Sequence, residues 1–465
     1  MFASSPVLRS LVLLLLYCSC LPASAERPPN IILILADDIG AEAVGVYGGE
    51  SFKTPRLDQM ASEGLRLEHG HAQPLCTPSR VKLMTGQYNF RNYQHFAYLD
   101  AGENTFAHLL SQAGYVTGVI GKWQLFDNRF QDIEGALPAD AGFDSYVLWQ
   151  LKAEQRGSRY WSPLIDHNGD VRQYGEDIFG PDVLNTAARD FIRANRSSPF
   201  FLYYPMVLPH SPFVNTPDMR QQSANDQQRF AAMIAYMDKL VGNVIDTVKE
   251  NGLADNTVII FLGDNGTDRN IVSRYRGAEI EGAKGKTLNH GTRVPFLLWS
   301  PGRIMPKVST SMVNLADILP TLADLAGAAP PEAIQPDGIS LVPLFDGDTE
   351  LERENLFIHY DPRWPTGRPA RYAFDRRWKY YEDGRFYDIQ SDPLEQHSIA
   401  AASLEREGLI AYRTLQSRVR TMEGKFASGE RWRPTVAFVL VGAALLISVM
   451  VLVWAFRLVR RMPDR

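Results

Sequence analysis

Fully apolar runs alternate along this chain with stretches whose apolar residues recur every three or four positions, and the alternation predicts strands and helices in turn. Asn30 to Leu35 is a continuous apolar run, and Thr54-Pro55 opens a helix with Leu57, Met60 and Ala61 on one face. A helix over Thr105 to Ala113 stops at Gly114 and leads into a strand from Tyr115 to Ile120. Another, from Val183 to Ala194, precedes the strand Phe200 to Val207. The longest helix is predicted from Phe230 to Glu250, with Met233, Met237, Leu240, Val244 and Val248 at helical spacing. Asn251-Gly252 ends it, and Thr257 to Leu262 follows as a buried strand. Strands apolar on both faces and separated by helices predict an α/β fold, a mostly parallel sheet sandwiched by helices. The interval Gln124 to Tyr174 lacks this rhythm and reads as a long insertion beside the site such a sheet would carry.

After about Gly327 the pattern changes. Pro330-Pro331 and Asp346-Gly347-Asp348 mark a linker region, so the main domain is taken as 26–345 and a C-terminal subdomain as 346–427. Arg371 to Phe374, Lys379 to Tyr381 and Arg385 to Ile389 read as short strands around a tight turn at Glu382-Asp383-Gly384. With a helix from Ser403 to Met422 they predict a small antiparallel α+β unit. Trp364, with Arg363, Arg368 and Arg371, either reaches a binding site or forms an ordinary solvated surface.

Two end segments stand outside this pattern. Arg9, the apolar run Leu11 to Leu16 and Ala23-Ser24-Ala25 read as a cleaved secretory signal over 1–25. Thr435 to Phe456 is uninterruptedly apolar and long enough to cross about 30 Å of hydrocarbon as a helix. Trp432 and Trp454 lie near its edges, and Arg457, Arg460 and Arg461 follow in a short basic tail, 457–465. The two segments predict an exported protein anchored by a transmembrane helix at 435–456, its main domain on the extracytoplasmic side, in the periplasm or at the cell surface. A sorting signal removed after export is the alternative reading of the tail.

Composition changes this picture little. At 465 residues the chain is long enough for one large domain and a smaller one. A net charge of −5 gives no electrostatic case for a nucleic-acid partner. Loss of Cys18 and Cys20 with the leader leaves Cys76 as the single cysteine, so no internal disulfide forms despite export.

The candidate chemistry lies where predicted strands end, which is where α/β sheets bind ligands. Asp37-Asp38 follow the first strand, and Gly263-Asp264-Asn265-Gly266 follow the strand Thr257 to Leu262. Three carboxylates and an amide oxygen form a hard donor set suited to calcium or magnesium, and no His or Cys cluster has zinc spacing. Lys122, His210 and Lys284 also follow strands or sit in glycine-rich turns, and together they suit an anion clamp. Cys76 stands beside Pro78-Ser79, a helix start, and Arg80, which places it in positive potential.

The run Cys76-Thr77-Pro78-Ser79-Arg80-Val81-Lys82-Leu83-Met84-Thr85-Gly86 resembles, without mismatch, the signature of the type I sulfatases of the alkaline-phosphatase-like superfamily. The resemblance extends in matching order from Asn30 to Pro295. It implies that a formylglycine-generating enzyme converts Cys76 to formylglycine, whose hydrate attacks sulfur and then expels sulfate. It further implies that Asp37, Asp38, Asp264 and Asn265 bind calcium together with the modified Cys76, and that Arg80 holds the hydrate. Lys122 and Lys284 would grip the sulfate, and His210 would protonate the leaving alcohol. The implied substrate is a sulfated carbohydrate or another sulfate ester, small or polymeric.

Two departures stand out. The family motif usually reads Gly-Lys-Trp-His, and here Gln124 occupies the histidine position, where an amide accepts no proton. Asn289-His290-Gly291 replaces the more usual Glu-Gly-Gly, so either His290 or another histidine substitutes as base, or Gln124 only orients the hydrate; Gln124 and His290 both count as candidate substrate contacts. Two other readings remain: a phosphomonoester or phosphonate hydrolase on the same fold, and an inactive sulfatase-like domain that binds sulfated polymer. The second is favoured only by Gln124.

Overall fold

The computed structural model describes residues 27–128, 133–152, 155, 157–219, 224–330, 335–347, 349–364 and 367–427. The main sheet has ten strands: β1 (Asn30–Ala36), β2 (Leu65–His71), β3 (Val116–Lys122), β4 (Ser145–Trp149), β5 (Leu164–His167), β6 (Asp170–Gln173), β7 (Phe200–Pro205), β8 (Thr257–Gly263), β9 (Phe296–Trp299) and β10 (Lys307–Asn314). Their order across the sheet is β10-β2-β9-β8-β1-β7-β3-β4-β5-β6. The principal helices are α1 (Pro55–Ser62), α2 (Cys76–Thr85), α3 (Phe106–Gln112), α4 (Gly180–Ala194), α5 (Asp226–Glu250), α6 (Ile318–Ala326) and α7 (Arg406–Ala427).

All seven residues of β1 are buried, because helices cover both sides of the sheet. Alternation of side chains sends Ile31, Leu33 and Leu35 to one face, where they pack with α2, α3 and α6. Ile32 and Ile34 go to the other, against α1, α4 and α5. At about 25 cal/mol per Å² of apolar surface removed from water, these two layers dominate the stability of the fold. The predicted helices are present within a few residues of their expected limits, and α5 is capped by Asn225, whose side chain accepts from the Gln228 backbone N–H.

The expected parallel character holds through the centre of the sheet, while antiparallel pairings toward both edges make the sheet as a whole mixed. β8, β1, β7, β3 and β4 run parallel to one another, and β10 runs parallel to β2. β9 is antiparallel to both β8 and β2, and β5 and β6 extend the opposite edge in antiparallel fashion. The interval Gln124 to Tyr174 is therefore not only insertion, since β4, β5 and β6 lie in it. These strands are half-buried or exposed, so they lack the apolar run that marks a central strand.

A second, antiparallel sheet follows in the order β11 (Leu356–Tyr360), β12 (Ala370–Phe374), β13 (Trp378–Tyr381) and β14 (Phe386–Asp388). Leu415, Val419 and Met422 of α7 cover it at Trp378, Tyr380 and Phe386, and Tyr88 and Phe90 of the main body join the same cluster. The predicted small α+β unit is present, with β11 as a strand the pattern did not reveal. The leader, the apolar run 435–456, the basic tail, Pro331 and Asp348 lie outside the described residues. Among the described residues no helix is long and apolar enough to cross a membrane.

Candidate active site

Parallel pairing brings the polar residues together. Ala36 is in register with Gly263, so Asp37 and Asp264 leave the sheet side by side at the carboxyl ends of β1 and β8. Lys122 is the last residue of β3. The glycine before it is required there: a Cβ on Gly121, whose φ is +133°, would lie 1.9 Å from the carbonyl oxygen of Pro205 on the neighbouring strand. Cys76 is the first residue of α2, a helix buried along its whole length. His210 lies between two cis prolyl bonds, Leu208-Pro209 and Ser211-Pro212.

Asp37, Asp38, Arg80, Asp264 and Asn265 are all fully buried, and Cys76 and Lys122 nearly so. Lys122 Nζ donates to both oxygens of Asp37, at 2.9 and 2.7 Å. Arg80 Nη1 donates to the Lys122 carbonyl at 2.9 Å, and its Nη2 donates to Asp264 Oδ2 at 3.0 Å. The Asp38 N–H donates to Asp264 Oδ1 at 3.0 Å, with Asp38 in the left-handed region at φ 69°. Asn265 Nδ2 donates to Asp38 Oδ1 at 2.9 Å. Lys284 Nζ donates to Asp38 Oδ2 at 2.6 Å and lies 3.1 Å from His210 Nε2. His210 Nδ1 lies 2.6 Å from the Ser211 carbonyl, which can only accept, so Nδ1 carries the proton and Nε2 accepts from Lys284.

Charge is unevenly satisfied in this cluster. Burial opposes ionisation of Asp37, but Lys122 and the other cations outweigh it and hold the carboxyl well below the usual range. Burial, reinforced by the Asp37 charge, pushes Asp264 in the opposite direction in spite of Arg80. Burial also brings His210 down to about 4, although Asp38 and Asp37 favour its charged form. Lys284 is raised, since Asp38 overcomes the cost of burying the ammonium. Two buried carboxyls this close, with unequal shares of the neighbouring cations, are driven apart in this way.

The residues fit a hard divalent cation. Asp37, Asp264 and Cys76 offer donor atoms within 4.8 Å of one another, as do Asp37, Asp38 and His210. Asn265 Oδ1 is buried and accepts no hydrogen bond among the described residues. An orphaned carbonyl oxygen costs free energy unless a ligand meets it, and beside three carboxylates the natural ligand is a cation.

A cleft of about 500 Å³ opens above the cluster, lined among others by Cys76, Lys122, Gln124, His210 and Lys284. Gln124, in the left-handed region at φ 56°, keeps its Oε1 buried without a partner among the described residues. His290 is not among the residues lining the cleft; burial and the cations Lys286 and Lys379 bring it down to about 4. Of the C-terminal candidates, Trp364 lines the cleft, while Arg363 pairs with Asp361 and Arg371 with Glu382. Sequence reasoning missed Arg159, Trp149, Arg269, Phe96 and Tyr360, which line the cleft too. Arg159 had only one faint signal, an arginine set against Tyr160-Trp161 within the supposed insertion.

A lysine-gripped, carboxylate-rich pocket around a helix-start cysteine is equipped to bind an anion beside a cation. Comparison with known proteins agrees. Residues 29–328 match the Sulfatase family, and residues 284–422 match the family described as N-sulphoglucosamine sulphohydrolase, C-terminal. Human arylsulfatase A is 32% identical over 460 residues, covering 84% of this chain and 88% of its own. N-acetylgalactosamine-6-sulfatase of Canis lupus familiaris is 30% identical over 376 residues, covering 73% and 70%. The crystal structure of Ps i-CgsB superposes with a TM-score of 0.72 at 26% identity, covering 87% of this chain and 94% of that one. Its complex with k-i-k-neocarrahexaose gives a TM-score of 0.70 at 25% identity, covering 87% and 94%. On its fold, its site and these matches, the chain belongs to the sulfatase family and is a sulfuric ester hydrolase.

Proposed function

We propose that this chain hydrolyses sulfate esters of a carbohydrate, using a formylglycine made from Cys76 and a calcium ion held at Asp37, Asp38, Asp264 and Asn265; magnesium suits the same donors. One observation carries the reading. Cys76 Sγ is a soft donor within a hard set, 4.8 Å or less from carboxylate oxygens of Asp37 and Asp264. Replacing that sulfur by oxygen makes the donor set uniformly hard, which is what calcium requires.

When present, formylglycine supplies a hydrated aldehyde whose hydroxyl is the nucleophile toward sulfur, and the cation supplies fixed positive charge for both anions. Arg80, rigid between Asp264 and the Lys122 carbonyl, has a buried Nε without a partner among the described residues, a donor ready for the nucleophile's oxygen. Lys122 and Lys284 bind the sulfate oxygens and counter charge that builds on them. The leaving alcohol takes its proton from the Lys284–His210 pair, whose Nζ and Nε2 are 3.1 Å apart. His210, whose Nε2 carries no proton and accepts from Lys284, is the base at hand for the second half of the cycle. Gln124 orients through its amide and moves no proton.

Carbohydrate is favoured because Phe96, Trp149, Tyr360 and Trp364 line the cleft and offer apolar faces to sugar rings. Relatives named N-acetylgalactosamine-6-sulfatase and a structural match in complex with k-i-k-neocarrahexaose point the same way. The leader-like segment 1–25 and the apolar run 435–456 support an exported, membrane-anchored enzyme. The deciding experiment is mass spectrometry of the tryptic peptide Leu67–Arg80 from protein purified from its own membranes. Formylglycine at Cys76, trapped by a hydrazide, is expected. A thiol that stays intact in every molecule refutes the mechanism.

A further inference from the structure

We propose that Arg159 is a substrate-contacting residue, a third grip on the sulfate group beside Lys122 and Lys284; the inference rests on the sulfate-ester reading above. Arg159 lines the cleft together with Cys76, Lys122 and Lys284. Its Nη1 lies 3.8 Å from Asp37 Oδ2, the same oxygen that Lys122 Nζ reaches at 2.7 Å. Both cations therefore meet at the floor of the pocket. That Nη1 is buried and has no hydrogen-bond partner among the described residues. A buried guanidinium N–H left without an acceptor is costly, and an oxyanion entering the cleft would satisfy it.

Charge balance argues that Arg159 is there for something other than the carboxylates. Among the described residues, Arg80, Lys122, Lys284 and Arg159 pair only with Asp37, Asp38 and Asp264, so cations outnumber acids in the cluster. Any divalent ion bound there widens the excess. A spare guanidinium, with its planar fork of donors, matches the oxygens of a sulfate group. Gln124, the neighbouring amide of the cleft, brings no charge to do this.

The side chain is also held in place. Its guanidinium stacks over the Trp149 ring, 4.2 Å from the centroid. The next residue, Tyr160, is buried and donates its hydroxyl to the carbonyls of Val207, at 3.0 Å, and His210. The Arg159 carbonyl packs so closely on Gly180 that a Cβ there would lie 2.3 Å from it. Arg159 is thus tied to the same loop that delivers His210, and the grip is formed before substrate arrives.

The test uses the full chain, modified at Cys76, as wild type, Arg159→Ala and Arg159→Lys. Inorganic sulfate binding is measured by calorimetry, and turnover with 4-nitrocatechol sulfate. Arg159→Ala is expected to weaken sulfate binding at least tenfold and to lower kcat/KM by about 10²-fold, the usual loss for an oxyanion donor. Arg159→Lys should recover part of both. Calcium content per chain and the thermal unfolding transition should stay as in wild type. Unchanged sulfate affinity in Arg159→Ala overturns the proposal. So does a parallel loss of bound calcium in both variants, which would make Arg159 a brace for Asp37. A wild type that binds sulfate through Arg159 but cleaves no sulfate ester would sink the hydrolase reading and leave the assignment of Arg159 standing.

Discussion

Glu395→Ala is the perturbation whose size follows most directly from the structure. Lys379 Nζ is 2.7 Å from Glu395 Oε1, and the two side chains are only 2% and 4% exposed. Lys379 also donates to the Thr287 carbonyl and packs over the rings of Tyr372 and Tyr381 at 4.2 and 4.9 Å. The Tyr381 hydroxyl donates to Glu395 Oε2 at 2.6 Å and lies 2.9 Å from Thr287 Oγ1. This knot joins the C-terminal sheet to the loop that carries Lys284. Burial already disfavours the Lys379 ammonium, and Glu395 is the partner that opposes the effect. Removing one member of a buried pair leaves an uncompensated charge and costs about 3–5 kcal/mol, against about 5–15 kcal/mol for a whole domain.

Equilibrium denaturation followed by tryptophan fluorescence is the assay, with Trp378 beside Lys379 as a natural reporter. A loss of about 3 kcal/mol or more is expected in the transition that reports this sheet. The double variant Lys379→Met/Glu395→Leu should recover most of it, since an apolar pair of similar volume needs no desolvation of charge. A loss under about 1 kcal/mol, the worth of an exposed ion pair, would refute the reasoning. Because Thr287 follows Lys284 so closely, Glu395→Ala should also lose activity at denaturant concentrations where the rest of the fold persists.

Chelation should abolish turnover and added calcium restore it, and Asn265→Ala should raise the calcium required about tenfold or more, as read by activity against free calcium. His290→Ala should leave kcat within about twofold, whereas His210→Ala should lower it by about 10²–10⁴, the range for a general acid–base group; equal effects would reverse the assignment. Lys82 is wholly buried over the Tyr88 ring, and burial brings it from 10.5 down to about 7. The unfolded chain therefore holds a proton there that the folded chain gives up, so Lys82 makes stability climb as pH rises from about 7 toward 10.5. Lys82→Met should flatten that slope and stabilise the protein at neutral pH, measured by denaturation at several pH values.

Central strands were legible because burial on both faces leaves a continuous apolar run, as in Asn30–Ala36 and Thr257–Gly263. The peripheral strands were not. Leu65–His71 carries Arg66, Glu68, His69 and His71 in seven residues, and Asp170–Gln173 is exposed throughout. One solvated face or edge removes the pattern that sequence reading depends on. The same reasoning explains the helices, whose apolar stripes at Leu57, Met60 and Ala61 or along Met233 to Val248 record which side faces the sheet.

At the site, residue types were legible and partnerships were not. Asp37, Asp38, Asp264 and Asn265 declare themselves by following strands, and Cys76 to Gly86 by its pattern. That Lys122 lies on Asp37, 85 residues away, and Lys284 on Asp38, 246 residues away, depends on strand order. So does the arrival of Arg159 beside them and the absence of His290 from the cleft. The sequence by itself determined the core and the chemical inventory, because hydrophobic spacing and strand-end residues are local properties of the chain. Only the tertiary structure decided which charges compensate one another, because Coulomb and desolvation energies depend on distance and burial, and long-range sheet pairing sets both.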